Sequence, residues 1–320
     1  MKIPTNPYLD SLAPDKNQIV RIVDLPKHLN PFADDGVRLS AAVAYGSLLN
    51  VKQLLVRNLF ETSFERDEFE GVENIVEPSS GNTGLGIALL AKAYGFKKVV
   101  LIVPRDIAPG KLEPLRLLGA EVMLHADEPG KKTAIELAKE LGAEKGWHSF
   151  GQYTNETNAD SYYKWLAPEI EKLVPLENMV ISAGLGSTGT ATGLARYFAK
   201  HGKNAYVVGV KCADGERVPG MRDGQRLEEI TIGWKEALGE RVFDAGTRES
   251  YRASRSFWHF VPSLPGPSSG ASYVGLVKYL KQEKEAGRLG AVKHALFICH
   301  DSAYPYLDKY STHLDAHELA

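Results

Sequence analysis

The sequence has few residues of the kind that hold disulfide-rich or metal-dependent folds together. It contains two cysteines, Cys212 and Cys299, which lie far apart and form no Cys-x-x-Cys pair. Neither a disulfide scaffold nor a cysteine-based metal site is therefore expected. The nine histidines show no His-Glu-x-x-His or comparable spacing. We expect no metal site.

The sequence also lacks an excess of charge of one sign and an apolar run long enough to cross a membrane. Its 38 basic and 40 acidic residues leave a formal net charge of −2. This balance gives no electrostatic reason to expect nucleic acid or an anionic membrane surface as a partner. Residues 1–6 have no apolar core of a signal peptide. We therefore expect a cytoplasmic protein that binds neither nucleic acid nor membranes.

What the sequence does contain is an alternation of strand-like and helix-like segments. The predicted strands cover residues 19–23, 39–45, 74–77, 99–103, 121–124, 179–182, 205–210 and 295–299. The predicted helices cover residues 51–59, 85–94, 111–118, 133–145, 162–173, 191–201 and 269–287. Gly95 and Gly119 follow two of these helices as C-terminal stops. Repeated βα units imply parallel strands with helices on both faces, and 320 residues fit one large or two closely joined domains.

A run of small and polar residues, 78–86, lies between a predicted strand and a predicted helix. Such a turn places backbone N–H groups at a helix N-terminus, where the helix dipole favours an anion. Ser79, Ser80 and Thr83 add hydroxyl groups, and Asn82 adds an amide. The stretch predicts a site for a small anionic ligand. The alternative is an ordinary βα turn whose small residues only allow close packing.

A second glycine-rich stretch, residues 182–193, also lies between a strand and a helix. Its glycines let backbone N–H groups approach a phosphate, and Ser187, Thr188 and Thr190 add hydroxyl donors. The stretch also matches the dinucleotide pattern Gly-x-Gly-x-x-Gly. That pattern requires an acidic residue at the end of the next strand, where this chain has Lys211. A phosphate site is therefore favoured over a nicotinamide dinucleotide site.

Together the two loops resemble those of the cysteine synthase family, which belongs to the fold-type II pyridoxal-phosphate enzymes. Residues 79–84 are similar to the family's substrate-carboxylate loop, and residues 186–190 to its cofactor-phosphate loop, with Thr188 where a glycine is usual. Further family-like segments follow in order at 151–155, at 218–222 (a cysteine synthase B feature), at 266–271, and at Asp301, Ser302 and Tyr306. The likeness runs from about residue 40 to residue 307.

This resemblance implies an architecture, a cofactor and an assembly. The fold would be α/β, with two lobes of parallel-sheet βα units, as in the tryptophan synthase β-like enzymes. A small substrate-binding lobe would cover residues 46–157, and a large cofactor-binding lobe residues 1–45 and 158–320. The cofactor would be pyridoxal 5'-phosphate, and the assembly a homodimer.

The family's motif around its cofactor-binding lysine, Asn-Pro-x-Gly-Ser-x-Lys-Asp-Arg, is altered in this chain. The Asn-Pro pair at 30–31 leads to Gly36 at the lysine position, whereas Lys52 follows a Gly-Ser pair at 46–47 without Asn-Pro. Lys52 precedes Asn82 by 30 positions, close to the family's usual separation, and Gly36 precedes it by 46. The spacing favours Lys52 as the residue that binds the cofactor covalently and acts as general base. The alternative is a solvated lysine in a protein that has lost this bond.

The resemblance also implies roles for the other site residues. The substrate carboxylate would be bound by Ser79, Ser80, Gly81, Asn82, Thr83 and Gln152. The cofactor would be bound by Lys52, Asn82, Gly186, Ser187, Thr188, Gly189, Thr190 and Ser268. Ser268 would face the pyridine nitrogen, and a neutral serine there would leave that nitrogen unprotonated, which suits β-elimination over transamination. Ser268 is otherwise interpreted as a helix N-cap.

The implied reaction replaces the β-substituent of an L-alanine derivative, such as O-acetylserine or O-phosphoserine, with sulfide or another nucleophile. Arg222 would pair with a phosphate or carboxylate of the substrate or nucleophile, or is a surface arginine. Gln53 and Leu54 replace the usual Asp-Arg after the lysine, which leaves the specificity open. The alternatives are a serine or threonine dehydratase or other β-eliminating lyase, and a catalytically silent binding protein of the same fold.

Overall fold

The computed structural model describes residues 18–79, 81–126 and 130–319. Ser80, from the first predicted loop, lies outside the described residues. The strands of the described part are β1 (Arg21–Asp24), β2 (Arg38–Val43), β3 (Asn74–Pro78), β4 (Lys98–Pro104), β5 (Glu121–His125), β6 (Trp147–His148), β7 (Glu177–Gly184), β8 (Lys203–Cys212), β9 (Val242–Ala245) and β10 (His294–Cys299).

The helices of the described residues alternate with these strands. The α-helices are α1 (Lys52–Glu65), α2 (Asn82–Ala93), α3 (Pro109–Leu117), α4 (Ala134–Gly142), α5 (Thr157–Ser161), α6 (Ala167–Leu173), α7 (Gly189–His201), α8 (Gly224–Leu227), α9 (Trp234–Leu238), α10 (Thr247–Ser256), α11 (Pro267–Glu285), α12 (Leu307–His313) and α13 (Ala316–Leu319). Short 3-10 helices cover Lys27–Leu29, Ala33–Asp35, Leu289–Ala291 and Tyr304–Tyr306. Among the residues described, no helix combines the length and the apolar character that crossing a bilayer requires.

Within the described ranges, the strands form two sheets. The larger sheet has the spatial order β1-β2-β10-β7-β8-β9, and the smaller sheet has the order β5-β4-β3-β6. All neighbouring strands are parallel except β1, which is antiparallel to β2 at the edge of the larger sheet. The predicted α/β fold with parallel βα units is confirmed.

Strands at the centre of a sheet have nearly continuous apolar sequences because both of their faces are buried. Strand β10 lies between β2 and β7, and all six of its residues are buried. A strand covered by helices on both faces needs apolar side chains on both faces. Helix α11 packs closely on this sheet, because a Cβ atom at Gly275 would lie 2.3 Å from a methyl group of Val210.

The helix boundaries test several expectations. Gly95 and Gly119 follow α2 and α3 with φ angles of 84° and 82°, so the predicted C-terminal stops are confirmed. The predicted helix 162–173 starts earlier, at α5, and contains a π-helical segment, Tyr162–Leu166. The N-cap of α11 is Gly266, with Pro267 as the first helical residue. The N-cap interpretation of Ser268 is therefore wrong.

The stretch 213–250, which has no clear sequence pattern, folds into α8, α9, β9 and the start of α10. These elements are short, and α10 has the polar sequence Thr-Arg-Glu-Ser-Tyr-Arg-Ala-Ser-Arg-Ser. Such a helix is stabilised by its contacts with neighbouring elements rather than by an apolar face of its own. Periodicity alone therefore does not reveal it.

Candidate active site

The carboxyl ends of strands from both sheets meet at one cleft. The loops after β3, β7 and β10 contribute Ser79, Gly186 and His300 to its lining, as expected for ligand sites in parallel α/β sheets. The predicted site residues that line this cleft are Lys52, Ser79, Gly81, Asn82, Thr83, Gln152, Gly186, Ser187, Thr188, Thr190, Arg222 and Ser268. Gly189 instead packs against Asn158, whose Oδ1 atom would lie 1.9 Å from a Cβ atom at that position.

Lys52 is the first residue of α1 and extends its amine towards the second loop. Its Nζ atom donates to the Tyr162 hydroxyl at 3.3 Å and to the Ser187 hydroxyl at 3.4 Å. The backbone N–H of Lys52 donates to Asn50 Oδ1 at 3.0 Å, which holds the start of the helix. The competing position, Gly36, ends a 3-10 helix with a φ of 78° and does not line the cleft among the described residues.

The first loop is held by hydrogen bonds within the protein. The Ser79 hydroxyl oxygen accepts from the backbone N–H of Gly84 at 2.7 Å, and the Thr83 hydroxyl donates to Gln152 Oε1 at 2.9 Å. The N–H groups of Asn82 and Thr83, the first two of α2, have no acceptor among the described residues. The loop therefore presents two open N–H groups on a fixed frame at a helix N-terminus.

Glu77, at the end of β3, fixes the position of Gln152. It is fully buried and accepts from Ser149 Oγ and from the backbone N–H groups of Gly151 and Gln152 at 2.9 to 3.1 Å. Burial raises the pKa of Glu77 to about 7, although these hydrogen bonds oppose the rise. Glu77 was not among the residues predicted from the sequence. The feature of the sequence that could have indicated it is an acidic residue inside an otherwise mainly apolar strand.

The second loop has unused donors and one strained residue. The hydroxyl groups of Thr188 and Thr190 are buried and have no hydrogen-bond partner among the described residues. Thr188 has a φ of 61°, a left-handed conformation that is costly for a β-branched residue. Gly186 packs against the backbone, since a Cβ atom there would lie 2.2 Å from the carbonyl oxygen of Gly220.

Asp301 connects three residues of the cleft. Its carboxylate accepts from Asn82 Nδ2 at 2.8 Å, from the Tyr306 hydroxyl at 2.5 Å and from Ser268 Oγ at 3.3 Å. Asp301 is 3% exposed, so these donors replace the water that a carboxylate needs. Burial and Asp301 raise the pKa of the Tyr306 hydroxyl well above its ordinary value. The structure thus brings Asn82 and Ser268 together through one carboxylate.

Arg222 lines the cleft but already has partners. Its Nη1 atom lies 2.9 Å from Glu229 Oε2 and donates to the carbonyl oxygen of Arg226 at 3.0 Å. The guanidinium carbon lies 4.4 Å from the centre of the Tyr153 ring. The predicted pairing of Arg222 with a substrate anion stays a prediction, and any such anion would compete with Glu229.

Two buried basic residues of the cleft were not predicted, Lys111 and His300. His300 follows β10, and neither of its ring nitrogens has a partner among the described residues. Burial, with a contribution from Lys52, lowers the pKa of His300 to about 3, so the imidazole is neutral near pH 7. His300 directly follows β10, and Lys111 lies in the first turn of the helix after β4, so both are on the carboxyl side of parallel strands, where cleft residues are expected.

The donors of the cleft fit a phosphate-bearing aldehyde cofactor. Two unpartnered hydroxyl groups, at Thr188 and Thr190, lie at the N-terminus of α7, where a phosphate is favoured. Lys52 supplies a primary amine beside the same loop, and Ser268 supplies a hydroxyl on the opposite element. Asp315, His317 and Glu318 form a cluster away from the cleft, and its two acids pair with Arg248 and Arg252.

Comparison with known proteins agrees with this geometry. The profile of the family described as "Pyridoxal-phosphate dependent enzyme" matches residues 47–300. The chain belongs to this family. The confirmed family membership carries the predicted cofactor with it, so pyridoxal phosphate is the cofactor of this enzyme, and the nicotinamide alternative is not favoured.

Individual proteins similar to this chain are cysteine synthases and a related synthase. The cysteine synthase of Helicobacter pylori strain J99 is 30% identical over 81% of this chain and 85% of its own length. Cysteine synthase B of Escherichia coli K12 is 25% identical over 74% of this chain and 78% of its length. The structure of the O-acetylserine dependent cystathionine β-synthase from Helicobacter pylori is 27% identical, with a TM-score of 0.75 over 96% of this chain and 98% of that one. The resemblance to cysteine synthases is confirmed.

Proposed function

We propose that this enzyme catalyses β-replacement on a β-substituted L-alanine of the O-acetylserine or O-phosphoserine type, with sulfide or another nucleophile. The observation that carries the proposal is the position of Lys52, whose amine faces the second loop in the same cleft as the open N–H groups of Asn82 and Thr83. The named activities of the relatives support the reaction class.

Bound pyridoxal phosphate withdraws electrons from the substrate's α-carbon and so makes its proton acidic. In this proposal, the residues of the chain bind and orient the reacting groups. The hydroxyl groups of Thr188 and Thr190 hold the cofactor phosphate, and the start of α2 holds the substrate carboxylate. Lys52 takes the α-proton as general base, while Tyr162 and Ser187 hold its amine at the place where the proton is transferred.

Two coarser features of the enzyme are proposed with this function. The small lobe covers residues 46–157, and the large lobe covers residues 1–45 and 158–320. All strands of the smaller sheet lie within residues 74–148, and all strands of the larger sheet lie outside that range. The enzyme works as a homodimer in the cytoplasm, as the resemblance to cysteine synthases implies.

The purified enzyme tests the proposal directly. Borohydride reduction followed by peptide mapping should place the reduced cofactor on Lys52, and Lys52→Ala should lose both the label and turnover. Wild type with O-acetylserine and sulfide should release cysteine and acetate. Release of pyruvate as the main product would instead establish the β-eliminating lyase. A label on another lysine would overturn the assignment of Lys52.

A further inference from the structure

Lys111 is a second lysine of the same cleft, and neither the family motif nor the proposed mechanism uses it. It is the third residue of α3, which follows β4. Its side chain is 8% exposed and lines the cleft together with Lys52. A lysine is rarely buried to this degree unless it has a partner.

Among the described residues, the ammonium of Lys111 has a cation–π contact but neither a hydrogen-bond acceptor nor an ion-pair partner. Its Nζ atom makes no hydrogen bond or ion pair with the described residues and lies 4.6 Å from the centre of the Tyr306 ring. The nearby carboxylate of Asp301 already accepts from three other donors. Burial lowers the pKa of Lys111, and the charge of Asp301 opposes this. The three N–H donors of Lys111 are therefore available to an anionic ligand that enters the cleft, and such a ligand would offset the cost of burying the charge.

The side chain of Lys111 lies directly against the anion-binding start of α2. A Cβ atom at Gly81 would lie 2.6 Å from Lys111 Cδ and 3.2 Å from Lys111 Nζ. Gly81 is the N-cap of the 12-residue helix α2, whose first N–H groups, on Asn82 and Thr83, are open. A helix N-terminus and an unpartnered ammonium therefore face one region of the cleft.

We infer that Lys111 binds the α-carboxylate of the amino-acid substrate, together with the first N–H groups of α2. This inference rests on the proposed function, because it assigns a further residue to the same substrate site. The contact of Lys111 with Gly81 favours the α-carboxylate over an anion on the β-substituent. It follows that the cleft binds a charged carboxylate more tightly than a neutral amide, because the Lys111 ammonium carries a full positive charge.

The test measures ligand binding to holoenzyme by calorimetry, for wild type and Lys111→Met. Methionine keeps the length and the apolar stem of lysine. Binding of L-alanine and of O-phospho-L-serine should weaken by the same factor, about thirtyfold or more, since one partner of a buried charge pair is removed. Binding of L-alaninamide should not change. Lys111→Arg should restore part of the affinity for L-alanine.

Controls separate this role from a structural one. Lys97→Met removes an exposed lysine that pairs with Glu73 and should leave all affinities unchanged. The thermal midpoint of ligand-free Lys111→Met should equal or exceed that of wild type, because an unpaired buried charge is removed. A loss confined to O-phospho-L-serine would overturn the inference, as would unchanged affinity for L-alanine. Failure of the proposed function would appear separately, as wild-type holoenzyme that binds L-alanine but releases no cysteine from O-acetylserine and sulfide.

Discussion

The two glycine-rich loops begin with similar sequences but differ in what their polar groups do. In the first loop, the hydroxyl groups of Ser79 and Thr83 and the amide of Asn82 are bound by the protein itself. In the second loop, the hydroxyl groups of Thr188 and Thr190 have no partner among the described residues. The side chains of the first loop are satisfied without a ligand, whereas two side-chain donors of the second loop are left for a ligand.

This difference matches the ligands proposed for the two loops. A substrate enters and leaves in every cycle, so its site gains from a frame that stays ordered when empty. A cofactor remains bound, so its phosphate can supply the missing hydrogen bonds and offset local strain such as that at Thr188. The following variants test whether the loops differ in this way.

The largest effect is expected from Gly186→Ala in the second loop. The new methyl group would lie 2.2 Å from the carbonyl oxygen of Gly220, and a backbone atom cannot move aside cheaply. We expect cofactor affinity to fall by on the order of 3 kcal/mol, at the upper end of typical overpacking costs. Titration of the cofactor-free protein with pyridoxal phosphate measures this. Gly36→Ala, at an open position with a positive φ, is the control and should leave cofactor affinity unchanged.

Glu77, which precedes the first loop, makes the free energy of unfolding depend on pH. Its pKa is about 7 in the folded protein against 4.5 for the free group, so the folded state binds a proton that the unfolded state has lost between these values. The stabilisation is complete below pH 4.5 and disappears as the pH rises through 7, a change of up to about 3 kcal/mol.

Urea denaturation at pH 5 and pH 8, for wild type and Glu77→Gln, isolates this contribution. The buried histidines His294 and His300 have pKa values of about 4 and about 3 and give the opposite slope in both proteins, so the difference between the proteins is decisive. The free energy of unfolding of wild type should fall with pH relative to Glu77→Gln. Parallel pH profiles would contradict the assignment.

The site residues that could be predicted from the sequence are those that lie together in one continuous segment. The loop around Asn82 and the loop around Thr188 each lie in one βα turn, where composition and position along the chain determine the local structure. The choice of Lys52 rested on its spacing from Asn82, which is close to the separation usual in the cysteine synthase family, and Lys52 does line the cleft.

The contacts between distant segments could not be predicted in this way. Asn82 and Asp301 are 219 positions apart, and Lys111 reaches the cleft because α3 packs on the segment around Pro305, whose carbonyl oxygen would lie 2.7 Å from a Cβ atom at Gly110. Such contacts depend on how two sheets are placed relative to each other, which no local pattern encodes. Strand β1 was predicted at residues 19–23 and lies at Arg21–Asp24, but its antiparallel pairing with β2 was not predicted, for the same reason.

Thr188→Gly should separate strain from binding in the second loop. Glycine adopts a φ of 61° freely, so the cofactor-free protein should become more stable by about 1 kcal/mol. The lost hydroxyl should weaken cofactor binding. Thr188→Ala is the matched variant, because it loses the same hydroxyl but keeps the strained backbone. Urea denaturation should find the glycine variant more stable than the alanine variant, and equal stabilities would show that the backbone is not strained.

The smallest effect compares one hydroxyl from each loop. Ser79→Ala leaves the N–H of Gly84 without its acceptor at 2.7 Å, so the cofactor-free protein should lose about 1 kcal/mol of stability. Thr190→Val removes a buried hydroxyl that has no partner among the described residues and replaces it with a methyl group of similar volume. Its stability should stay equal or rise, since an unsatisfied polar group is removed, while its affinity for pyridoxal phosphate falls. Equal destabilisation by both variants would mean that the Thr190 hydroxyl is satisfied without a ligand, and the contrast between the loops would then reduce to the strain at Thr188.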